Sequence, residues 1–249
     1  MGKKAKGSIK VVAILPSAGQ GKRIGEDIKK PFLALGEKSI LAETIERLHS
    51  IEYITEIIPV LQERDMEICL EDIVERYCFH KIKRIAPGGY ERQDSVYNGL
   101  KLVDPRSDLV LIHDGVRPFI TRDLIEMIIK GALEGDGAVL GVPVKETIKE
   151  VGRDWFIKRT LQRNNLWSIH TPQAFRYSII LNAYEKAYRD NFYSTDDASL
   201  VERMGGKVKV VMGSYDNIKI TTPEDLILGE NILKRQKERG YADQKVKNY

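Results

Sequence analysis

Long apolar runs, cysteine and tryptophan are all scarce in this chain of 249 residues, and each shortage excludes something. No stretch comes near the roughly 18 apolar residues that a membrane-spanning helix needs. The five apolar residues Val11–Leu15, which follow a basic start, are too few for the core of a secretion signal. The two cysteines, Cys69 and Cys78, cannot make a disulfide framework, and no C-x-x-C occurs. A reducing cytoplasm is the expected location. Charge of one sign is also missing as a block. The net charge is +4, but 40 basic and 36 acidic residues are interspersed. Much of the excess lies in Lys3, Lys4, Lys6 and Lys10 and in Lys234, Arg235, Lys237 and Arg239, which read as solvated ends. Stripes of basic residues interleaved with aromatics are absent, so nucleic acid is not an expected partner. Repeats and low-complexity segments are absent too. The four histidines have no spacing that suggests a metal site, and His113, at a strand end, reads as structural.

What is present is glycine and cation concentrated in one place. Val11–Leu15 reads as a buried strand of a parallel sheet. The loop after it, PSAGQGKRIGEDIKKPFL, holds Gly19, Gly21 and Gly25 together with Lys22, Arg23, Lys29 and Lys30. Glycines allow close backbone approach to a ligand, and cations on such a loop suit phosphate. Two familiar phosphate loops do not fit. A dinucleotide fingerprint needs Gly or Ala where Ile24 stands, which argues against a nicotinamide oxidoreductase. A P-loop needs Gly where Pro16 stands and Ser or Thr where Arg23 stands.

Beyond this loop, apolar runs alternate with helical periodicity. Strands are expected at 54–61, 82–86, 109–112, 138–142 and 207–212. Helices are expected after the cap Ser39, over 65–77, over 91–103, from the cap Thr121 to Leu133, over 176–189, from Thr195-Asp196-Asp197, and from Thr222-Pro223. The charged tail from Arg235 reads as frayed. Strict alternation predicts one α/β domain over 1–249, with a doubly wound, mostly parallel sheet and right-handed crossovers. Ligands then bind beyond the carboxyl ends of the strands. The first loop, Gly88-Gly89 and Asp114 all fall at such ends and should meet in one crevice. From about 145 to 170 the alternation breaks into a hairpin-like β-arm around Gly152-Arg153-Asp154, carrying Trp155 and Trp167. An isolated hairpin is marginal in water, so packing on a partner subunit is expected, with folding back onto its own domain as the alternative.

The loop's form resembles the signature of nucleotidyltransferases that join a nucleotide to a sugar phosphate or sugar-alcohol phosphate. Seven segments narrow this: Pro16–Leu33, GGYERQDSVYNGL from Gly88, IHDGVRP from Ile112, PVKETIK from Pro143, RNNLWSIHTPQAF from Arg163, TDDASLVE from Thr195 and DNIKITTPEDL from Asp216. Together, and in this order, they resemble the 2-C-methyl-D-erythritol 4-phosphate cytidylyltransferase family of the non-mevalonate isoprenoid pathway. The resemblance implies a Rossmann-like nucleotidyltransferase domain that dimerises through its β-arm. It implies CTP and a polyol phosphate as substrates and Mg²⁺ as cofactor. It implies catalytic roles for Arg23, Lys30 and Lys219, and nucleotide contacts from Pro16, Ser17, Ala18, Gly19, Gly21, Gly88, Gly89, Ser95 and Asp114. Arg117, Thr147, Arg163, Thr171, Thr195 and Asp216 match positions that bind the second substrate, although Thr195 reads equally well as a helix cap. Asp114 is the expected first metal ligand and Asp216 a second. The Gly88–Ser95 segment is expected to read cytosine. Against the family pattern, Pro31, Gly115-Val116, Tyr90 and His170 are departures, and none removes a charged catalytic residue. The nearest rival is a ribitol-5-phosphate cytidylyltransferase of teichoic acid synthesis. ERQDSV and RNNLW lean toward the erythritol family.

Overall fold

A computed structural model describes residues 9–19 and 30–247, with side chains as far as Glu238. Its centre is a seven-stranded sheet. In chain order the strands are β1 (Val11–Pro16), the short pair β2 (Ala34–Leu35) and β3 (Lys38–Ser39), β4 (Ile54–Leu61), β5 (Ala86–Pro87), β6 (Leu109–Ile112), β7 (Gly137–Pro143), β8 (Lys149–Val151), β9 (Ile157–Thr160), β10 (Trp167–Arg176) and β11 (Val208–Met212). The helices are α1 (Ile40–His49), α2 (Glu63–Cys69), α3 (Arg92–Leu100), α4 (Arg122–Leu133), α5 (Tyr177–Arg189), α6 (Ala198–Arg203) and α7 (Pro223–Lys247). Across the main sheet the order is β11-β7-β10-β6-β1-β4-β5.

The alternation of strand residues explains the layers. Val11, Ala13 and Leu15 of β1 face one way and pack with residues of α1 and α4. Val12 and Ile14 face the other way and pack with residues of α3, α5 and α6. Both faces are covered, which is why β1 reads as a continuous apolar run. Helix starts follow their caps: Ser39 Oγ accepts from the Ala42 N–H, and Thr121 Oγ1 from the Leu124 N–H. A third apolar cluster joins Leu35, Ile40, Val116, Phe119, Ile220, Ile232 and Leu233. It lashes α7 and the segment before it to the loop after β6.

Several expectations change on contact with the fold. The excursion from the sheet is shorter than 145–170. Only the β8–β9 hairpin leaves it, because Trp167–His170 already pair with β7 as the start of β10. β10 runs antiparallel between β6 and β7, so the sheet is parallel except there. Local periodicity carries no sign of strand direction, and the chain reverses through the hairpin instead of crossing over. The strand expected over 82–86 reduces to β5 and a bridge between Ile82 and Ile57. The helix over 65–77 divides into α2 and a π-helical stretch, Leu70–Glu75, and Cys78 lies beyond both. α7 continues to Lys247 instead of ending in a frayed tail.

At Gly137 the pairing of β7 and β10 leaves no room for a side chain. A Cβ there would stand 2.2 Å from Phe175 Cδ1 and 2.9 Å from the Ala174 carbonyl oxygen. Gly137→Ala is expected to destabilise the protein by about 1–3 kcal/mol, the range for overpacking a closed core. A lowered urea midpoint with an unchanged slope is the measurement that checks it.

Candidate active site

The carboxyl ends of β1, β4, β5 and β6 frame a crevice of about 870 Å³. Two close approaches shape its floor. A Cβ on Gly88 would stand 2.3 Å from Ala18 Cβ, and one on Gly115 would stand 2.0 Å from Ser17 Oγ. Bare backbone is therefore required where the first loop meets the turns after β5 and β6. Gln62 ties these parts together by donating from Nε2 to the Ala18 carbonyl at 2.7 Å.

Asp114 stands at the end of β6, buried, and its backbone N–H donates to Thr171 Oγ1 at 3.0 Å. Three cations surround its carboxylate. Lys219 Nζ lies 2.9 Å from Oδ2, Arg92 Nε 3.3 Å from Oδ1 and Arg117 Nε 3.5 Å from Oδ2. Burial alone would raise the pKa of Asp114. Arg92, Lys219 and Arg117 outweigh that and hold it well below the usual carboxylate range. Arg117 is anchored from behind by donating to the Asn217 carbonyl at 2.8 Å. Lys30 lines the same crevice and donates to the Thr221 carbonyl at 3.1 Å, two residues along the chain from Lys219.

Pro16, Ser17, Ala18, Gly19, Lys30, Gly88, Gly89, Ser95, Asp114 and Lys219 all line this crevice, as the sequence reading expects. Gly21 and Arg23 lie outside the described residues. Arg117 and Thr171 sit behind the lining, where each touches Asp114. Thr147 and Arg163 are exposed at the root of the hairpin, and Arg163 NH1 donates to the Lys145 carbonyl. Thr195 is exposed and outside the lining. The first turn of α6 is capped instead by Asp196 Oδ1, which accepts from the Ser199 N–H at 3.1 Å. Asp216 does not line the crevice; its Oδ1 pairs with Arg235 at 2.9 Å.

The sequence reading gave no site role to several lining or supporting residues. Arg92 and Thr221 line the crevice, Tyr90 stands 97% exposed at its rim, and Asp197 holds Arg92 by two bonds at 3.0 and 2.9 Å. Arg92 and Asp197 lie inside quoted segments, but their pairing spans 105 residues and has no local signal.

Ser95, which lines the crevice, also ties the turn together. Its hydroxyl accepts from the Gly89 N–H at 3.0 Å and donates to the Glu91 carbonyl at 3.2 Å, while the Gly88 N–H donates to the Leu61 carbonyl at 2.6 Å. The two glycine N–H groups are thus engaged, one by the end of β4 and one by Ser95. As for a metal, the described residues hold no cluster of three His, Cys, Asp or Glu side chains. Asp114 offers the crevice one carboxylate from the expected pair. That donor set fits an ion that brings most of its oxygen ligands with a polyphosphate, as Mg²⁺ does.

His113 is structural. It is fully buried, its Nε2 lies 3.0 Å from the Arg117 carbonyl, and burial pulls its pKa from 6.5 down to about 4. His170 is pulled down to about 4 by burial and by Arg117.

A matching family model, 2-C-methyl-D-erythritol 4-phosphate cytidylyltransferase, covers residues 11–235. The chain is 49% identical over 224 residues to the enzyme of that name from Clostridioides difficile, covering 90% of this chain and 94% of that protein. It is 45% identical over 229 residues to the one from Geobacter metallireducens, covering 91% and 98%. The solved structure of 4-diphosphocytidyl-2C-methyl-D-erythritol synthase from Anaerococcus prevotii superposes with a TM-score of 0.81 at 36% identity, covering 91% of this chain and 97% of that one. The Francisella tularensis 2-C-methyl-D-erythritol 4-phosphate cytidylyltransferase superposes with a TM-score of 0.76 at 30% identity, covering 90% and 99%.

The depressed imidazoles carry a pH signature. A group whose folded pKa lies below its unfolded value binds fewer protons when folded. Stability is therefore complete above about 6.5 and falls as pH drops toward about 4. His113 alone should remove about 3 kcal/mol across that window. Urea midpoints measured from pH 7 to pH 4 are expected to fall less steeply in His113→Gln than in the parent protein.

Proposed function

The chain belongs to the 2-C-methyl-D-erythritol 4-phosphate cytidylyltransferase family, and from that membership we propose how its crevice performs the reaction. The enzyme joins CTP to 2-C-methyl-D-erythritol 4-phosphate, giving 4-diphosphocytidyl-2-C-methyl-D-erythritol and pyrophosphate in isoprenoid precursor biosynthesis. The ribitol phosphate alternative finds no favour among the relatives. The observation that carries the mechanistic reading is the convergence of Lys219, Arg92 and Arg117 on the buried Asp114 carboxylate, in a crevice that Lys30 also lines.

The reaction forms a bond from a phosphate oxygen of the polyol phosphate to the α-phosphorus of CTP. The bond from that phosphorus to the oxygen bridging to the β-phosphate breaks, and pyrophosphate leaves with the electron pair. A phosphate monoester has a second pKa of about 6, so the nucleophile is already largely dianionic and needs no general base. What it needs is placement and charge neutralisation, because two polyanions must meet. Lys30 and Arg23 serve the nucleotide phosphates and the charge that builds on the α-phosphoryl oxygens. Lys219, with Arg117 behind it, serves the incoming phosphate. Asp114 would be the crevice carboxylate to hold an Mg²⁺ ion carried by the triphosphate, whereas Asp216 is turned to Arg235. When bound, the ion supplies further neutralisation of phosphate charge.

The cytosine reader is the Gly88-Gly89 turn. Its N–H groups are engaged internally, which leaves carbonyl oxygens for the base. The cytosine amino group donates to a carbonyl; the uracil O4 accepts and cannot. The protein works in the cytoplasm as a homodimer. Both cysteines, Cys69 and Cys78, are free, and among the described residues no helix is long and apolar enough to cross a membrane. Support for the dimer comes from the arm, where Trp155 is 89% exposed and Phe156 74%, beside exposed Val151 and Ile157. A second copy that covers this apolar tip would take the neighbour's Thr147 and Arg163 toward its own crevice.

Pyrophosphate release should depend on CTP, with UTP and ATP slower by on the order of 100-fold or more, since uracil leaves the carbonyls of the half-buried turn unpaired. Equal use of CTP and UTP would remove the cytosine reader. Ribitol 5-phosphate, run beside the erythritol substrate, should be the poorer acceptor.

The arm has its own test. Arg163→Ala spoils the partner's site and Lys30→Ala a subunit's own site. Refolding the two inactive variants together gives mixed dimers in half of the population if association is random. Each mixed dimer holds one doubly spoiled site and one intact site, so roughly a quarter of the parent activity should return, by the symmetry of an isologous interface. Mixed dimers demonstrated by co-purification of differently tagged chains, yet without activity, would place the arm in its own subunit's service.

A further inference from the structure

Arg92 occupies the first position of α3, and its guanidinium bridges two carboxylates. NH1 and NH2 donate to the two oxygens of Asp197, while Nε donates to Asp114. Asp197 is fully buried, and Tyr184 donates its hydroxyl to Asp197 Oδ1 at 2.5 Å. Tyr184 is itself fully buried and stacked on Tyr97 with ring centres 5.9 Å apart. The loop that carries Asp197 is pinned by Gln173, whose Oε1 accepts from the Ala198 N–H and whose Nε2 donates to Asp196. A rigid chain thus runs from the core through Tyr184, Asp197 and Arg92 to Asp114. Burial would lower the pKa of Arg92, but Asp197 and then Asp114 reverse this, so the guanidinium stays charged.

The three cations on Asp114 are held to different degrees. Arg92 is fixed by Asp197, and Arg117 by the Asn217 carbonyl. Lys219 has a 40% exposed side chain and, among the described residues, Asp114 as its ion-pair partner. It is the cation free to move. A buried carboxylate that loses a sole partner bears a heavy penalty, whereas one that keeps two fixed arginines does not.

We infer that Arg92, locked by Asp197 and Tyr184, is a positioning residue that keeps Asp114 neutralised while Lys219 transfers to the incoming phosphate substrate. Its Nε, NH1 and NH2 each donate to one of these two carboxylates, which fixes the plane of the guanidinium. The inference rests on the cytidylyl-transfer reading given above.

A double-mutant cycle tests it. Asp197→Asn and Tyr184→Phe are each made alone and on the Lys219→Ala background, and kcat and KM are measured for both substrates. Asp197→Asn should lower kcat/KM for the polyol phosphate by about tenfold or more, the scale of one charge-assisted hydrogen bond. Its KM for CTP should stay within about twofold. Tyr184→Phe should act in the same direction more weakly, and it carries the test if Asp197→Asn does not fold. On the Lys219→Ala background both effects should largely vanish, because the lysine whose release they assist is gone. Equal factors in the two backgrounds, or equal losses for the two substrates, would overturn the inference and leave a merely structural role. A second readout needs no turnover. In ¹⁵N-labelled protein without substrate, the Arg92 Nε–H should exchange slowly with solvent, and faster in Asp197→Asn. Fast exchange in the parent protein overturns the inference. An inactive parent protein with a slowly exchanging Nε–H overturns the reaction assignment instead.

Discussion

A carboxylate buried at the end of a strand sets the terms for the whole crevice. Asp114 cannot remain charged there without cations, and three of them arrive from separate parts of the chain: Arg92 from the start of α3, Arg117 from the loop after β6 and Lys219 from the segment before α7. Each of these segments needs its own reason to be in place. α3 packs Val96 and Leu100 against the sheet face formed by Val12 and Ile14. The Lys219 segment is held by Ile220, whose N–H donates to the Val116 carbonyl and whose side chain joins the cluster under α7. The core is therefore the frame that brings charges together that would otherwise stay in water.

The same arrangement leaves the crevice electrically prepared for polyanions. Asp114 and Asp197 are two negative charges against Arg92, Arg117 and Lys219, and Lys30 in the crevice lining adds a fourth positive charge. Excess positive charge in a partly enclosed site attracts phosphate and is already oriented when it arrives. Preorganisation of this kind is the natural device for a reaction whose nucleophile and electrophile repel one another and whose chemistry asks for no proton transfer.

Much of this was legible before any coordinates. β4 and β6 fall where their apolar runs put them, and Ser39 and Thr121 cap the helices they precede. The meeting of Pro16–Gly19, Gly88-Gly89 and Asp114 follows from the rule that parallel strands present their carboxyl ends to one side. What was hidden depends on contacts that cross the chain. Strand β10 has no marker of its direction, and the bonds by which Ser95 braces the Gly89 turn have no local signal. Arg92 and Asp197 look like an ordinary helix start and an ordinary capping acid. Only the topology, which sets α3 beside the loop before α6, turns them into a buried pair.

The exposed arm contrasts with this packed frame. Two short strands, β8 and β9, stand off the sheet with Trp155 and Phe156 in solvent, and such a hairpin has little to hold it in isolation. Arg163 and Thr147 flank it, exposed and outside the lining of the crevice in their own chain. In the dimer proposed here these two facts have one solution. Burying the apolar tip against a second copy gives the hairpin the packing it lacks and places polar residues at the neighbouring crevice in the same step. Two-fold symmetry then completes both sites together or neither. The nucleotide half of the site, built on strands that are rigid in one chain, would exist before assembly. The polyol-phosphate half, to which Lys219 and Arg117 of the same chain already contribute, would be completed only by it, so association itself would set how firmly the second anion binds.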